Sequence, residues 1–233
     1  MAVEIAVADA LRQSFVIEGG HRLSGRIKAA GNKNAALPVL AACLLTDEPV
    51  ELANVPRIRD VETMLALLRS LGAEAEWTGP NEVRVHAASV ATSEIDEALC
   101  KEIRASILLA GPLLARLGSA SVPPPGGDVI GRRRIDTHMH AFAALGAKIE
   151  AGRRYELRAP RLRGARLFLD EASVTGTENA IMAAVLAEGE TVIGNAACEP
   201  HVQDLCRFLC SLGAEIEGVG SNLLRICGVE RLG

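Results

Sequence analysis

At 233 residues the chain is long enough to bury a substantial apolar core, as one large domain or two small ones. A content of 49% hydrophobic but only 3% aromatic residues builds that core from Ala, Leu, Val and Ile in closely packed helices and strands, which favours an α/β protein. The formal charge of −4 gives no overall attraction to nucleic acid, and no stretch approaches the roughly 20 apolar residues of a spanning helix, so neither nucleic acid nor membrane is expected as a partner.

Residues Met1 to Gln13 carry Glu4 and Asp9 and lack the basic start and apolar run of a secretory signal, which reads as a variable extension on a cytoplasmic protein. The polar segment Gly31-Asn32-Lys33-Asn34 then opens an almost wholly apolar helix over Ala35 to Leu45. A short strand leads to Asn54, and apolar residues at Val61, Met64, Leu67 and Leu68 mark an amphipathic helix that ends at Leu71-Gly72-Ala73. Two strands follow, Ala73 to Trp77 and Glu82 to His86.

The same order recurs. Lys101 to Ser106 opens a second apolar helix over Ala105 to Leu117, and Ser173 to Asn179 opens a third over Asn179 to Ala187. Leu-Gly-Ala returns at Leu145 and Leu212, giving three copies of one unit roughly 70 residues long. Each copy reads helix, strand, helix, strand, strand, with one further strand ahead of its first helix. Three apolar helices inside, with sheets and amphipathic helices outside, make a single compact domain.

Departures from the shared pattern point to function. The middle copy carries a proline run and a glycine hinge, Pro123 to Gly127, followed by Asp128 and by Arg132, Arg133 and Arg134. Such a loop either closes over an anionic substrate or is a solvated surface turn. His138 stands where the sibling helices carry Met64 and Leu205, as a buried histidine or as a site residue, and Asp136 reads equally as a plain helix-start acid. The three polar helix starts each present donors where unpaired amides favour anions, and Lys33 and Arg104 there either bind an anion or make structural salt bridges. The six cysteines form no Cys-x-x-Cys pair, show no metal-ligand spacing and read as buried free thiols.

From Phe15 to Gly233 the sequence resembles the enolpyruvyl transferase family, in its branch acting on UDP-N-acetylglucosamine. The resemblance is carried by Gly31-Asn-Lys-Asn-Ala-Ala-Leu-Pro38, Arg104-Ala-Ser106, Pro125-Gly-Gly-Asp-Val-Ile-Gly131, Ser173-Val174, Asn195-Ala-Ala197 and Gly228-Val-Glu-Arg-Leu-Gly233. It implies an inside-out α/β barrel of six repeats in two domains, of which this chain holds three. Residues 14–32 would be crossover strands packing with the second domain, 33–230 the three-repeat catalytic domain and 231–233 the start of a hinge.

The resemblance also implies transfer of enolpyruvyl from phosphoenolpyruvate to the 3′-hydroxyl of UDP-N-acetylglucosamine, through a tetrahedral intermediate that loses phosphate, without cofactor or metal. This is the first committed step of peptidoglycan synthesis, and the isolated half is expected to be inactive. Lys33, Arg133 and Arg104 match cationic positions around phosphoenolpyruvate. Asn34, Arg133, Ile135, Asp136, His138, Ser173 and Val174 match positions lining the sugar-nucleotide site. Asp128 matches the catalytic loop position that is often cysteine, and a carboxylate there is a poor target for alkylation by fosfomycin. The chain departs from the family at Arg134, where proline is common, at Glu171, near a position that is often basic, and in a longer 175–179 loop. Transfer to shikimate 3-phosphate, or a non-catalytic nucleotide-binding module, are the competing readings.

Overall fold

A computed structural model describes residues 16–127 and 134–233. The first copy comprises α1 (Lys33–Ala42), extended by a 3-10 turn (Cys43–Leu45), then β1 (Val50–Leu52), α2 (Arg59–Ser70), β2 (Glu74–Gly79) and β3 (Glu82–His86). The second comprises α3 (Glu97–Glu102), a 3-10 segment (Arg104–Leu109) running into α4 (Ala110–Leu117), β4 (Ser119–Val122), α5 (Asp136–Ala144), β5 (Lys148–Ala151) and β6 (Tyr155–Arg158). The third comprises β7 (Arg166–Phe168), α6 (Val174–Ala184), β8 (Glu190–Gly194), α7 (Pro200–Ser211), β9 (Glu215–Glu217) and β10 (Leu223–Cys227). The sheets run β1-β3-β2, β4-β6-β5 and β7-β8-β10-β9, antiparallel except for the parallel pair β7 and β8.

The recurring Leu-Gly-Ala is a helix stop. Gly72, Gly146 and Gly213 take φ of 99°, 95° and 98°, a left-handed turn that a side chain disfavours. The alanine after each glycine donates its N–H back into the helix, from Ala73 to Leu68 O, Ala147 to Phe142 O and Ala214 to Leu209 O. That 6→1 bond is the Schellman motif, and it satisfies carbonyls that the helix end leaves open. Leu71 and Leu145 are fully buried, so the stop also anchors the outer helix to the core.

The same leucines join the copies. Leu71 O accepts from Ala91 N and Leu145 O from Arg163 N, the residues that lead into the second and third copies. Leu212 O accepts from Gly233 N in the same way, and Leu232 bridges Thr46 of the first copy. The third unit thus turns back onto the first. The apolar helices α1, α4 and α6 lie inside this arrangement, and the residues Gly176 to Ala184 of α6 are all buried.

Several expectations need correction. The third inner helix begins at Val174, not Asn179, because Ser173 caps it, its Oγ accepting from Gly176 N at 3.2 Å. The polar run Thr177-Glu178-Asn179 therefore lies inside a buried helix. The stretch Ala105 to Leu117 is not one α-helix; a 3-10 segment precedes α4, and Pro112, lacking an N–H, cannot extend an α-helical ladder back to Leu108. The extra leading strand forms as β7 in the third copy and shrinks to a bridge between Glu94 and Ser121 in the second. Residues 16–32 form no strand, with Val16, Ile17, Leu23 and Ile27 each more than four-fifths exposed. The neighbour expected for 14–32 is the second domain, so the crossover expectation concerns a partner outside these residues. Cys198 and Cys210 are exposed rather than buried, since both fall on the outer face or start of α7.

Candidate functional site

The three inner helices start beside one another. Asn34 at the start of α1, Ala105 at the start of the 3-10 segment, and Val174 and Thr175 at the start of α6 line a single cavity of about 270 Å³. Glu178 lies in its wall one turn into α6, and Glu199 and His201 at the start of α7 complete the rim. Helix starts carry unpaired N–H groups and the positive end of the dipole, so their convergence makes one opening that favours anions.

Glycine permits this approach. A Cβ on Gly31 would stand 1.8 Å from Asn54 O, so the 31–34 turn lies directly on the backbone after β1. Asn54 itself takes φ of 58°, a conformation asparagine tolerates, and Asn195 repeats it at 56° in the third copy. Gly31→Ala is expected to displace the start of α1 and cost about 1–3 kcal/mol, the usual range for overpacking. Thermal denaturation checks this, and a melting temperature equal to that of the wild type would sink it.

Of the expected cations, Lys33 is half-exposed and its Nζ lies 2.6 Å from Asp60 Oδ2, at the first turn of α2. An exposed pair of this kind is worth about 0–1 kcal/mol, small enough for an incoming anion to displace it. Arg104 is partly buried and donates from Nη2 to Arg134 O at 3.1 Å. On the other shoulder of the loop, Gly126 N donates to Cys100 O and Gly127 N to Lys101 O. A Cβ on Gly126 would come within 2.0 Å of Lys101 O, which requires glycine there. The described residues on either side of 128–133, Gly127 and Arg134, thus both lie next to Arg104. Asp128 and Arg133 lie outside the described residues.

Arg134 forks between Asp136 and Asp170, and Thr137 Oγ1 donates to Asp170. The hydrogen bond from Arg134 holds the Asp136 carboxyl below the usual carboxylate range. Asp136 is thus engaged by the residue that departs from the family pattern, while Ile135, half-buried, is the N-cap of α5.

His138 is buried. It is 1% exposed, and Nδ1 lies 2.8 Å from Asn179 Nδ2 while Nε2 lies 3.2 Å from Thr175 Oγ1. Asn179 Nδ2 donates its other hydrogen to Ile107 O, and Asn179 Oδ1 accepts from Gly111 N. Because the amide can only donate to Nδ1, the imidazole is neutral with its proton on Nε2. Burial, reinforced by the Arg104 charge and opposed by Asp136, lowers its pKa from 6.5 to about 4. The ring does not face the opening but holds Thr175 from behind. The buried amide of Asn179 ties α6 to α4, to the 3-10 segment and to α5.

Glu178 is 1% exposed, and its Oε1 has no hydrogen-bond partner among the described residues. Burial, with Glu199 nearby, raises its pKa to about 8. Sequence reading did not single out Glu178, Asn179 or Thr175 as functional. The available signal was three consecutive polar residues between apolar neighbours at 177–179, a run that no exposed helix face explains.

Residues 17–233 match the family described as EPSP synthase (3-phosphoshikimate 1-carboxyvinyltransferase). The chain belongs to the EPSP synthase family. Among curated relatives, the UDP-N-acetylglucosamine 1-carboxyvinyltransferase of Bradyrhizobium diazoefficiens is 61% identical over 219 residues, which is 94% of this chain and 51% of that protein. The protein of the same name from Treponema denticola is 56% identical over 218 residues, again 94% and 51%. The enolpyruvyl transferase NikO from Streptomyces tendae superposes with a TM-score of 0.80 at 25% identity, covering 91% of this chain and 50% of that one. EPSP synthase from Acinetobacter baumannii, at 19% identity and a TM-score of 0.70, shares the fold. The chain spans about half the length of the curated relatives it matches. Among the described residues, no helix is long and apolar enough to cross a membrane.

Proposed function

We propose that this chain supplies one wall of a cytoplasmic enolpyruvyl transferase site that takes phosphoenolpyruvate and UDP-N-acetylglucosamine, the second wall coming from a further half of similar size. The observation that carries the reading is the meeting of three helix starts in one cavity, Lys33 and Arg104 being next in sequence to its lining residues Asn34 and Ala105, and Arg104 donating to Arg134 O. Identities of 61% and 56% to proteins named for the sugar nucleotide favour that acceptor over shikimate 3-phosphate. The exposed apolar residues of 16–32 offer a surface for the other half to cover.

In this reading Lys33, Arg104 and Arg133 offset the phosphate and carboxylate of phosphoenolpyruvate. Asn34, Ser173 and Val174, with Ile135 and Asp136 across the loop, border the sugar nucleotide. The 3′-hydroxyl oxygen adds to C2 of the enol, giving its own proton to a base supplied by the second half, as C3 gains a proton; the tetrahedral intermediate then expels phosphate and loses a C3 proton to restore the double bond. Asp128, which lies outside the described residues, carries the proton to or from C3. The supporting charges come from both halves, so this chain alone turns over at a small fraction of the assembled rate, a single missing electrostatic group costing about 100-fold or more.

Phosphate release measured on this chain, then with the second half added, tests the reading, and calorimetry with UDP-N-acetylglucosamine against shikimate 3-phosphate tests the acceptor. In the assembled protein Lys33→Met and Arg104→Met are each expected to lower kcat/KM by about 100-fold or more. Full activity of either variant removes that residue from the proposed anion site.

A further inference from the structure

The chemistry outlined above leaves Glu178, in the wall of the cavity, without a role. We infer that Glu178 is a specificity-determining residue of this cavity, hydrogen-bonding an uncharged hydroxyl or acetamido group of the amino sugar; this rests on the sugar-nucleotide reading given above. The carboxyl sits in the cavity wall, 1% exposed, with Oε1 unpartnered in a helix whose neighbouring polar side chains Thr177 and Asn179 are both hydrogen-bonded. A fold seldom leaves a buried polar atom unmatched, and this one belongs to a side chain that lines a cavity, where a ligand group can supply the partner. The volume, about 270 Å³, lies just below the roughly 300–1,000 Å³ usual for whole ligand sites, a space for one ring-sized group rather than an entire nucleotide sugar.

The surroundings decide the charge of that group. Glu199, His201 and Cys206 are the titratable side chains that α7 turns toward Glu178. Among the described residues, α1 and the 3-10 segment contribute Leu37, Pro38 and Leu108 to the walls, and their titratable residues Lys33 and Arg104 are not in the lining. With its pKa raised to about 8 by burial and by Glu199, the carboxyl is neutral near pH 7 and offers one donor and one acceptor. A neutral acid gives a cation no advantage, and Glu199 repels an anion. Sugar hydroxyls and an acetamide, each able to donate and accept, match a carboxylic acid in both directions.

Titration calorimetry on this chain assembled with the second half, with UDP-N-acetylglucosamine and UDP as probes, tests the assignment. Glu178→Leu is expected to weaken UDP-N-acetylglucosamine about tenfold while leaving UDP within about twofold, the loss of one hydrogen-bonded group. Wild-type affinity for the sugar nucleotide is expected to fall about tenfold by about pH 9 as the carboxyl ionises, and Glu178→Gln, which cannot ionise, is expected to lack that fall. The Gln comparison decides the matter should the Leu variant fail to fold. Equal loss of UDP and UDP-N-acetylglucosamine in Glu178→Leu, or the same alkaline fall in wild type and Glu178→Gln, overturns the role of Glu178 alone. Assembled wild-type protein that binds neither probe overturns the sugar-nucleotide reading together with it.

Discussion

Asn179→Ala is expected to destabilise the fold by about 3–5 kcal/mol, the largest effect of any single substitution considered for this chain. The amide meets Gly111 N, Ile107 O and His138 Nδ1, three groups on three other segments, all in the interior. Removing it orphans Gly111 N–H and the imidazole nitrogen, each at about 1–3 kcal/mol, and leaves a void where helices pack closely. The packing is tight at this point, since a Cβ on Gly111 would stand 2.8 Å from both Asn179 oxygens. Urea unfolding followed by circular dichroism reads the loss. A change below about 1 kcal/mol would mean that the brace carries little of the stability. Asn179→Asp separates geometry from charge: its carboxylate still accepts from Gly111, and the imidazole beside it is expected to titrate well above about pH 4, a shift that NMR of the ring resolves.

Stability is expected to fall by about 2 kcal/mol between about pH 6.5 and 8, with a plateau below that range. Two buried groups act in opposite directions. His138 is depressed from 6.5 to about 4, so the unfolded chain takes up a proton that the folded one refuses, and stability rises with pH through that window. Glu178 is raised from 4.5 to about 8, so the folded chain keeps a proton that the unfolded one releases, and stability falls with pH through that window. Where the windows overlap, at about pH 4.5–6.5, the slopes of about 1.4 kcal/mol per pH unit cancel. Above about pH 6.5 only the Glu178 slope survives. Glu178→Gln should abolish the alkaline decline and uncover the His138 slope, a rise of about 3 kcal/mol from about pH 4 to 6.5. An alkaline decline that persists in Glu178→Gln would assign it to another group.

Which parts of this could be read from residues alone follows from the range over which each signal acts. The helix stops at Leu71, Leu145 and Leu212 were legible because a Schellman motif is made within six residues, and a leucine, a glycine and a following alanine suffice to mark it. The outer helices announced themselves by apolar spacing, as Val61, Met64 and Leu68 show. The start of α6 was misplaced because Thr177, Glu178 and Asn179 read as a polar lead-in; only the neighbours supplied by α4, α5 and α7 make a buried polar run affordable. The strand expected within 14–32 had the composition but not the partner.

The sequence by itself determined the threefold unit, the order of its elements, the polar character of the three inner helix starts and the family to which the chain belongs, since each is written in local spacing or in contiguous motifs. Tertiary structure alone decided that Asn34, Ala105 and Thr175 border one cavity, that Lys33 pairs with Asp60, and that Arg104 grips the Arg134 shoulder of the loop. It also placed His138 behind the wall and left Glu178 in the wall without a partner. Those contacts join residues from different copies, and their burial and charge depend on which surfaces meet when the three units close on one another.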